Sequence, residues 1–189
     1  MEALFTSTAV VALAEIGDKT QLLAIVLATR FKRPMPIILG ILVATLANHF
    51  LAALVGAQAA SFLEGDWFRY LIAASFIAMA AWTLIPDKLD EVEDKPARFG
   101  AFVTTVIAFF LVEMGDKTQL ATVALGARFN DLIMVTLGTT LGMMIANVPA
   151  VLLGQELIRR VPLKVVRIVA ALLFLVIGLW LAAQTAGLI

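Results

Sequence analysis

No cysteine occurs in the 189 residues, and histidine occurs once, at position 49. The first absence excludes disulfides, thiol nucleophiles and thiolate metal centres. The second argues against a dedicated zinc or copper site built on paired histidines. Seven methionines are present but form no cluster suited to a soft metal. Charge is scarce too: Asp, Glu, Lys and Arg make up 15% of residues, with 14 acidic against 14 basic groups. A formal net charge of zero gives nucleic acid no electrostatic footing, and none is expected as a partner. No nucleophile–histidine arrangement and no cofactor motif stands in the sequence, so an enzyme is not expected. What abounds is apolar surface, with 62% hydrophobic residues and a mean hydropathy of +1.00. A soluble domain of this size cannot hide so much, and the apolar runs exceed buried-helix length. The chain reads as an all-α, polytopic membrane protein with the lipid bilayer as its surroundings. Its start, Met1 to Phe5, lacks the basic flank of a signal peptide, so the first apolar segment reads as a retained helix.

Hydropathy and punctuation divide the chain into six expected spans, at 4–28, 35–58, 67–86, 99–126, 131–154 and 163–185. The only linker-like stretch, 86–98, is rich in Asp and Glu and falls near the middle. It separates two copies of one pattern. An offset of 98 positions relates Glu15 to Glu113, Gly17 to Gly115, Asp18 to Asp116 and Lys19 to Lys117. The same offset relates Gln21 to Gln119, Arg30 to Arg128, Gly40 to Gly138, Gly56 to Gly154, Phe76 to Phe174 and Trp82 to Trp180. Asn48 and Asn147 match with a shift of one. Residues 1–86 and 99–189 are therefore expected to be three-helix repeats, joined by an acidic cytoplasmic linker at 87–98, in one integrated membrane domain. Three passes per repeat make the second copy enter the membrane from the opposite side, the inverted arrangement of secondary transporters. Ten Lys and Arg residues lie in loops on one side and two on the other. That bias places the richer side in the cytoplasm and both termini outside.

Each repeat carries charge where lipid disfavours it: Glu-Ile-Gly-Asp-Lys-Thr at 15–20 and Glu-Met-Gly-Asp-Lys-Thr at 113–118. On a continuous helix, Glu15, Asp18 and Lys19 share one face, as do Glu113, Asp116 and Lys117. Gly17 and Gly115 admit a close backbone neighbour or a local unwinding. Where the two motifs meet, four carboxylates and two ammonium groups sum to −2, the charge one divalent cation neutralises. Glu15, Asp18, Glu113 and Asp116 are the expected metal-binding residues. Gln21 and Gln119 offer carbonyl oxygens, Thr20 and Thr118 hydroxyls, and Lys19 and Lys117 balance charge by pairing with aspartates. Such oxygen ligands suit Ca²⁺, Mg²⁺ or Mn²⁺. Burial disfavours a bare carboxylate, so the site must hold either metal or protons. That exclusivity is the basis of cation/proton antiport. A self-contained ion pair joining two helices is the simpler reading of either motif alone.

Asn48 and Asn147 read either as bonds to a neighbouring helix or as groups at the ion site. His49 faces Val148 in the repeat alignment and so has no counterpart. It reads as a hydrogen-bonded or interfacial residue, with proton relay as the alternative. The small-residue spacings Gly138/Gly142 and Gly40/Ala44 suggest packing within a monomer, with dimerisation the weaker alternative. Trp82 and Trp180 fit aromatic belts near span ends. The acidic stretch 87–94 reads as a solvated turn or a gatherer of cations.

The doubled pattern Glu-hydrophobic-Gly-Asp-Lys/Arg-Thr/Ser, in two three-helix halves, resembles the GDT-type family of cation/proton antiporters, which belongs to the lysine-exporter superfamily. The resemblance covers essentially the whole chain, and both motif copies match without departure. It implies that Glu15, Asp18, Glu113 and Asp116 bind the transported cation. It further implies a bacterial plasma-membrane member that removes excess Mn²⁺ from the cytoplasm, with Ca²⁺ as a second substrate, H⁺ as the coupled ion and no bound cofactor. Export of a cationic amino acid such as lysine and a non-transporting scaffold are the alternatives.

Overall fold

Each acidic motif breaks a helix. Ile16 is extended (φ −65°, ψ 114°), Gly17 has φ +83°, and the amide of Asp18 donates to the Glu15 carbonyl at 3.0 Å. Those angles and that bond are a type II turn, whose third residue needs positive φ and therefore glycine. The second motif repeats it: Met114 at φ −66° and ψ 118°, Gly115 at φ +80°, and Asp116 N–H to Glu113 C=O at 3.1 Å. The aspartate then caps the next helix in an extended conformation.

The computed structural model describes residues 1–63, 65–85, 99–154 and 162–189. The expected linker at 87–98, with the acidic stretch inside it, lies outside them. The described residues form eight helices and no strand. In chain order these are α1 (Glu2–Glu15), α2 (Lys19–Phe31), α3 (Pro34–Phe62), α4 (Asp66–Thr83), α5 (Ala101–Glu113), α6 (Lys117–Phe129), α7 (Leu132–Leu153) and α8 (Leu163–Thr185). The all-α, polytopic expectation holds, but six uninterrupted spans do not. Among the described residues, α3, α7 and α8 are long and apolar enough to cross a membrane on their own. The expected spans 4–28 and 99–126 are each two short helices meeting at a type II turn. At 13 or 14 residues each covers only about 20 Å. Helix α4 has 18 residues and carries Asp66 and Arg69 in its first turn, and it too falls outside the set.

Packing follows the repeat. Helix α1 lies along α7 as α5 lies along α3, α6 packs on α3 as α2 packs on α7, and α3 crosses α7. Glycines permit the closest approaches. A Cβ on Gly56 would sit 2.0 Å from the Val123 carbonyl oxygen, and one on Gly126 would sit 2.6 Å from that of Ala53. Gly138 and Gly142 meet α1 in the same manner, against Leu4 and Thr8, so these small residues pack within the monomer. The fourth and eighth helices form a pair of their own, with Phe76 and Phe174 buried between them. That pair breaks the symmetry. It packs on α6 through α4 and on α1 through α8, whereas α4 against α5 and α8 against α2 form no comparable contact.

Candidate metal centre

Both turns deliver a glutamate from a helix C-terminus and an aspartate from the next N-terminus to buried positions. One carboxylate oxygen from each of Glu15, Glu113 and Asp116 lies within 4.8 Å of the others, and all three side chains are buried. The helix break therefore replaces the expected shared helical face: Glu15 and Asp18 leave different helices and are joined by the turn.

The lysines cross over. Lys19 Nζ lies 2.9 Å from Asp116 Oδ1, and Lys117 Nζ lies 2.7 Å from Asp18 Oδ1. Each thus pairs with a motif aspartate, as expected, but with the aspartate of the opposite repeat. These braces bind the repeats together and offset two of the four negative charges. Asp18 is buried with its lysine and lies outside the three-carboxylate group. The remaining formal charge falls to the two glutamates. Glu15 Oε2 accepts from Thr20 Oγ1 at 2.5 Å, and Glu113 Oε2 accepts from Thr118 Oγ1 at 3.0 Å. Their Oε1 atoms are buried and accept no hydrogen bond among the described residues. Such orphaned acceptors are costly in a dry interior, and a cation or a proton relieves them.

The glutamines brace the turns. Gln21 Oε1 accepts from the Gly17 amide at 2.9 Å, and Gln119 Oε1 accepts from the Gly115 amide at 2.6 Å. Each carbonyl is spent on the amide that the turn leaves without a helical partner. The far ends of the two side chains differ: Gln21 Nε2 donates to the Ala146 carbonyl at 2.9 Å, and Gln119 Nε2 donates to Asn48 Oδ1. Asn48 also donates to the Phe110 carbonyl at 3.3 Å, so it ties α3 to both helices of the second motif. Asn147 stays within its own helix, donating to the Met143 carbonyl at 3.1 Å, and its Oδ1 is buried without a hydrogen bond among the described residues.

His49 departs from both expectations of an ordinary histidine. It is fully buried rather than interfacial, and neither ring nitrogen has a hydrogen-bond partner among the described residues. Its Nε2 lies 4.0 Å from Glu113 Oε2. A signal for this was present: Thr45, Asn48, His49 and Ala52 follow helical spacing and form one buried face of α3. Leu163 is a second residue that sequence reasoning passed over, since its side chain covers the turn at Gly17. Trp82 and Trp180 are exposed near helix ends, as an aromatic belt requires. A recess of about 560 Å³ is lined by Glu2, Arg69, Arg128 and Gln184 among others, and no motif carboxylate lines it.

Comparison with known proteins agrees with this geometry. The profile of the family described as divalent cation/proton antiporter GDT1 matches residues 3–91 and 101–187, one segment per repeat. A Vibrio cholerae protein named as a candidate manganese exporter is 52% identical over 180 residues, covering 95% of this chain and 90% of that protein. The GDT1-like protein sll0615 of Synechocystis is 30% identical over 185 residues, covering 87% and 88%. GDT1-like protein 5 of Arabidopsis thaliana is 28% identical over 211 residues, covering 92% of each. No solved structure matches. A buried acidic cluster assembled from two repeated motifs, in a chain matched over nearly its whole length, is that of a transport protein rather than an enzyme, and the chain belongs to the GDT1 family of divalent-cation transporters.

Proposed function

We propose that this protein is a secondary-active exporter that moves Mn²⁺ out of the cytoplasm in exchange for protons, with the ion held at mid-membrane between the two motifs. The observation that carries the reading is the convergence of Glu15, Glu113 and Asp116, with two buried glutamate oxygens left without hydrogen bonds among the described residues. Lys19 and Lys117 offset two aspartates, so a charge near −2 remains for one divalent ion or two protons to neutralise. Neither can occupy the site together with the other at full charge balance, and that exclusion couples the two flows. The oxygen ligands suit Ca²⁺ as well as Mn²⁺. Manganese is preferred because the relative at 52% identity is named for its export.

In this reading residues 1–86 and 99–189 are inverted repeats of three passes each, the first pass of each being a broken helix. The acidic segment 87–98 faces the cytoplasm of a bacterium and both termini face outward. Helices α1 and α6 then fill the outer half of the membrane, and α2 and α5 the cytoplasmic half. The α4–α8 pair rests on α1 and α6.

The test is ion-resolved flux in proteoliposomes under an imposed pH gradient, comparing Mn²⁺, Ca²⁺, Mg²⁺ and lysine. The expected result is Mn²⁺ movement driven against its own gradient by protons moving the other way. Flux indifferent to the pH gradient would overturn the coupling, and lysine flux without Mn²⁺ flux would overturn the substrate class.

A further inference from the structure

One buried polar side chain beside the acidic cluster has no role in the scheme above. His49 sits on α3 with both ring nitrogens buried and without hydrogen bonds among the described residues. A neutral imidazole has one N–H and one lone pair to satisfy, and buried polar groups are as a rule paired. The nearest charged group is Glu113, whose Oε2 lies 4.0 Å from Nε2. That is too long for a hydrogen bond. The repeat offers no packing reason for a histidine, because Val148 follows Asn147 where His49 follows Asn48.

The separation suits two ligands of one ion. With metal–ligand bonds of about 2.1 Å, an octahedral ion puts adjacent ligand atoms about 3 Å apart and opposite ones about 4.2 Å apart. The 4.0 Å between Nε2 and Glu113 Oε2 falls between those values. The three carboxylate oxygens lie within 4.8 Å of one another, and His49 stands beside that group at its Glu113 edge, so an ion held by all four draws the imidazole inward.

We propose that His49 Nε2 is a ligand of the transported cation, turning an all-oxygen site into one of three carboxylates and one imidazole that selects manganese over calcium and magnesium. This rests on the divalent-cation reading above and adds its basis for selectivity. Calcium and magnesium take oxygen ligands, whereas first-row transition ions accept imidazole nitrogen. The added donor is neutral, so one divalent ion still balances Glu15 and Glu113.

Mn²⁺ is paramagnetic, and a directly bound imidazole nitrogen imprints ¹⁴N modulation on its electron spin echo. His49 is the single histidine of the chain, so in tag-free protein that signal has one source. Purified protein loaded with Mn²⁺ alone is expected to show imidazole ¹⁴N coupling. His49→Gln is expected to abolish it while Mn²⁺ stays bound, with Mn²⁺ affinity falling about tenfold or more and Ca²⁺ affinity nearly unchanged. Should that variant not fold, the wild-type spectrum decides by itself. Mn²⁺ that is bound, and lost in Glu113→Gln, yet shows no imidazole coupling would overturn the ligand role of His49 and leave the acidic site standing. Absence of any bound Mn²⁺ would overturn both.

Discussion

The two motifs share six of seven residues from Glu to Gln and fold to nearly the same turn, yet their surroundings differ. The first is closed in: Gly17 is buried under Leu163, and Gln21 reaches across to the Ala146 carbonyl. The second is open at its turn, where a Cβ on Gly115 would meet nothing within 4 Å, but its glutamate has His49 for a neighbour. The backbone is thus set by local sequence, by glycine at the third turn position and glutamine capping the freed amide. The difference comes from what packs on each turn. The two turns are thus equal in chemistry and unequal in packing, while both glutamates are buried.

The largest expected effect tests the equality. Glu15→Gln and Glu113→Gln should each abolish Mn²⁺ flux in proteoliposomes, because both glutamates serve one ion. Survival of transport in either variant would make the repeats unequal in function. Next comes the pair of braces. Lys117 and Asp18 are both almost fully buried, whereas Lys19 is 25% exposed. Replacing Lys117 by Met should cost about 3–5 kcal/mol, and replacing Lys19 clearly less, read as melting temperature in detergent. The double variant Lys117→Met/Asp18→Asn should recover much of that loss.

The turns provide a finer test. Gly115→Ala should cost about 1–2 kcal/mol for the left-handed backbone alone. Gly17→Ala should cost more, since the new methyl would lie 2.7 Å from Leu163 Cδ2. Leu163→Ala should relieve the excess in Gly17→Ala and do nothing for Gly115→Ala, a coupling that a double-mutant cycle measures. The smallest difference is expected at the glutamines. Gln21→Leu removes two buried bonds and should destabilise by about 1–3 kcal/mol. Gln119→Leu should cost less, because its bond to the Gly115 amide is exposed whereas that of Gln21 to Gly17 is buried.

Much of this was legible in the sequence. The offset of 98 exposes the repeat, and surplus carboxylate in apolar surroundings marks Glu15, Asp18, Glu113 and Asp116, of which all but Asp18 converge. The pairing of lysines with aspartates follows from charge, but their crossing does not, since nothing local tells Lys117 to choose Asp18 over Asp116. Helical spacing also misled at 15–19. Hydropathy sees an unbroken apolar run, while one glycine with positive φ is enough to end the helix there. That Gln21 and Gln119 turn their carbonyls to the Gly17 and Gly115 amides follows from the turn, which the sequence pattern alone does not show. The role of His49 depends on where α3 crosses the second motif, a tertiary fact that its polar stripe only hinted at.

The central claim is that two motifs make one site. Equilibrium Mn²⁺ binding to the purified protein, with bound metal counted per chain, tests it most directly. One ion per chain, lost in Glu15→Gln and equally in Glu113→Gln, is the predicted result. Two ions per chain, or a single glutamate substitution that leaves half of the bound metal in place, would contradict it.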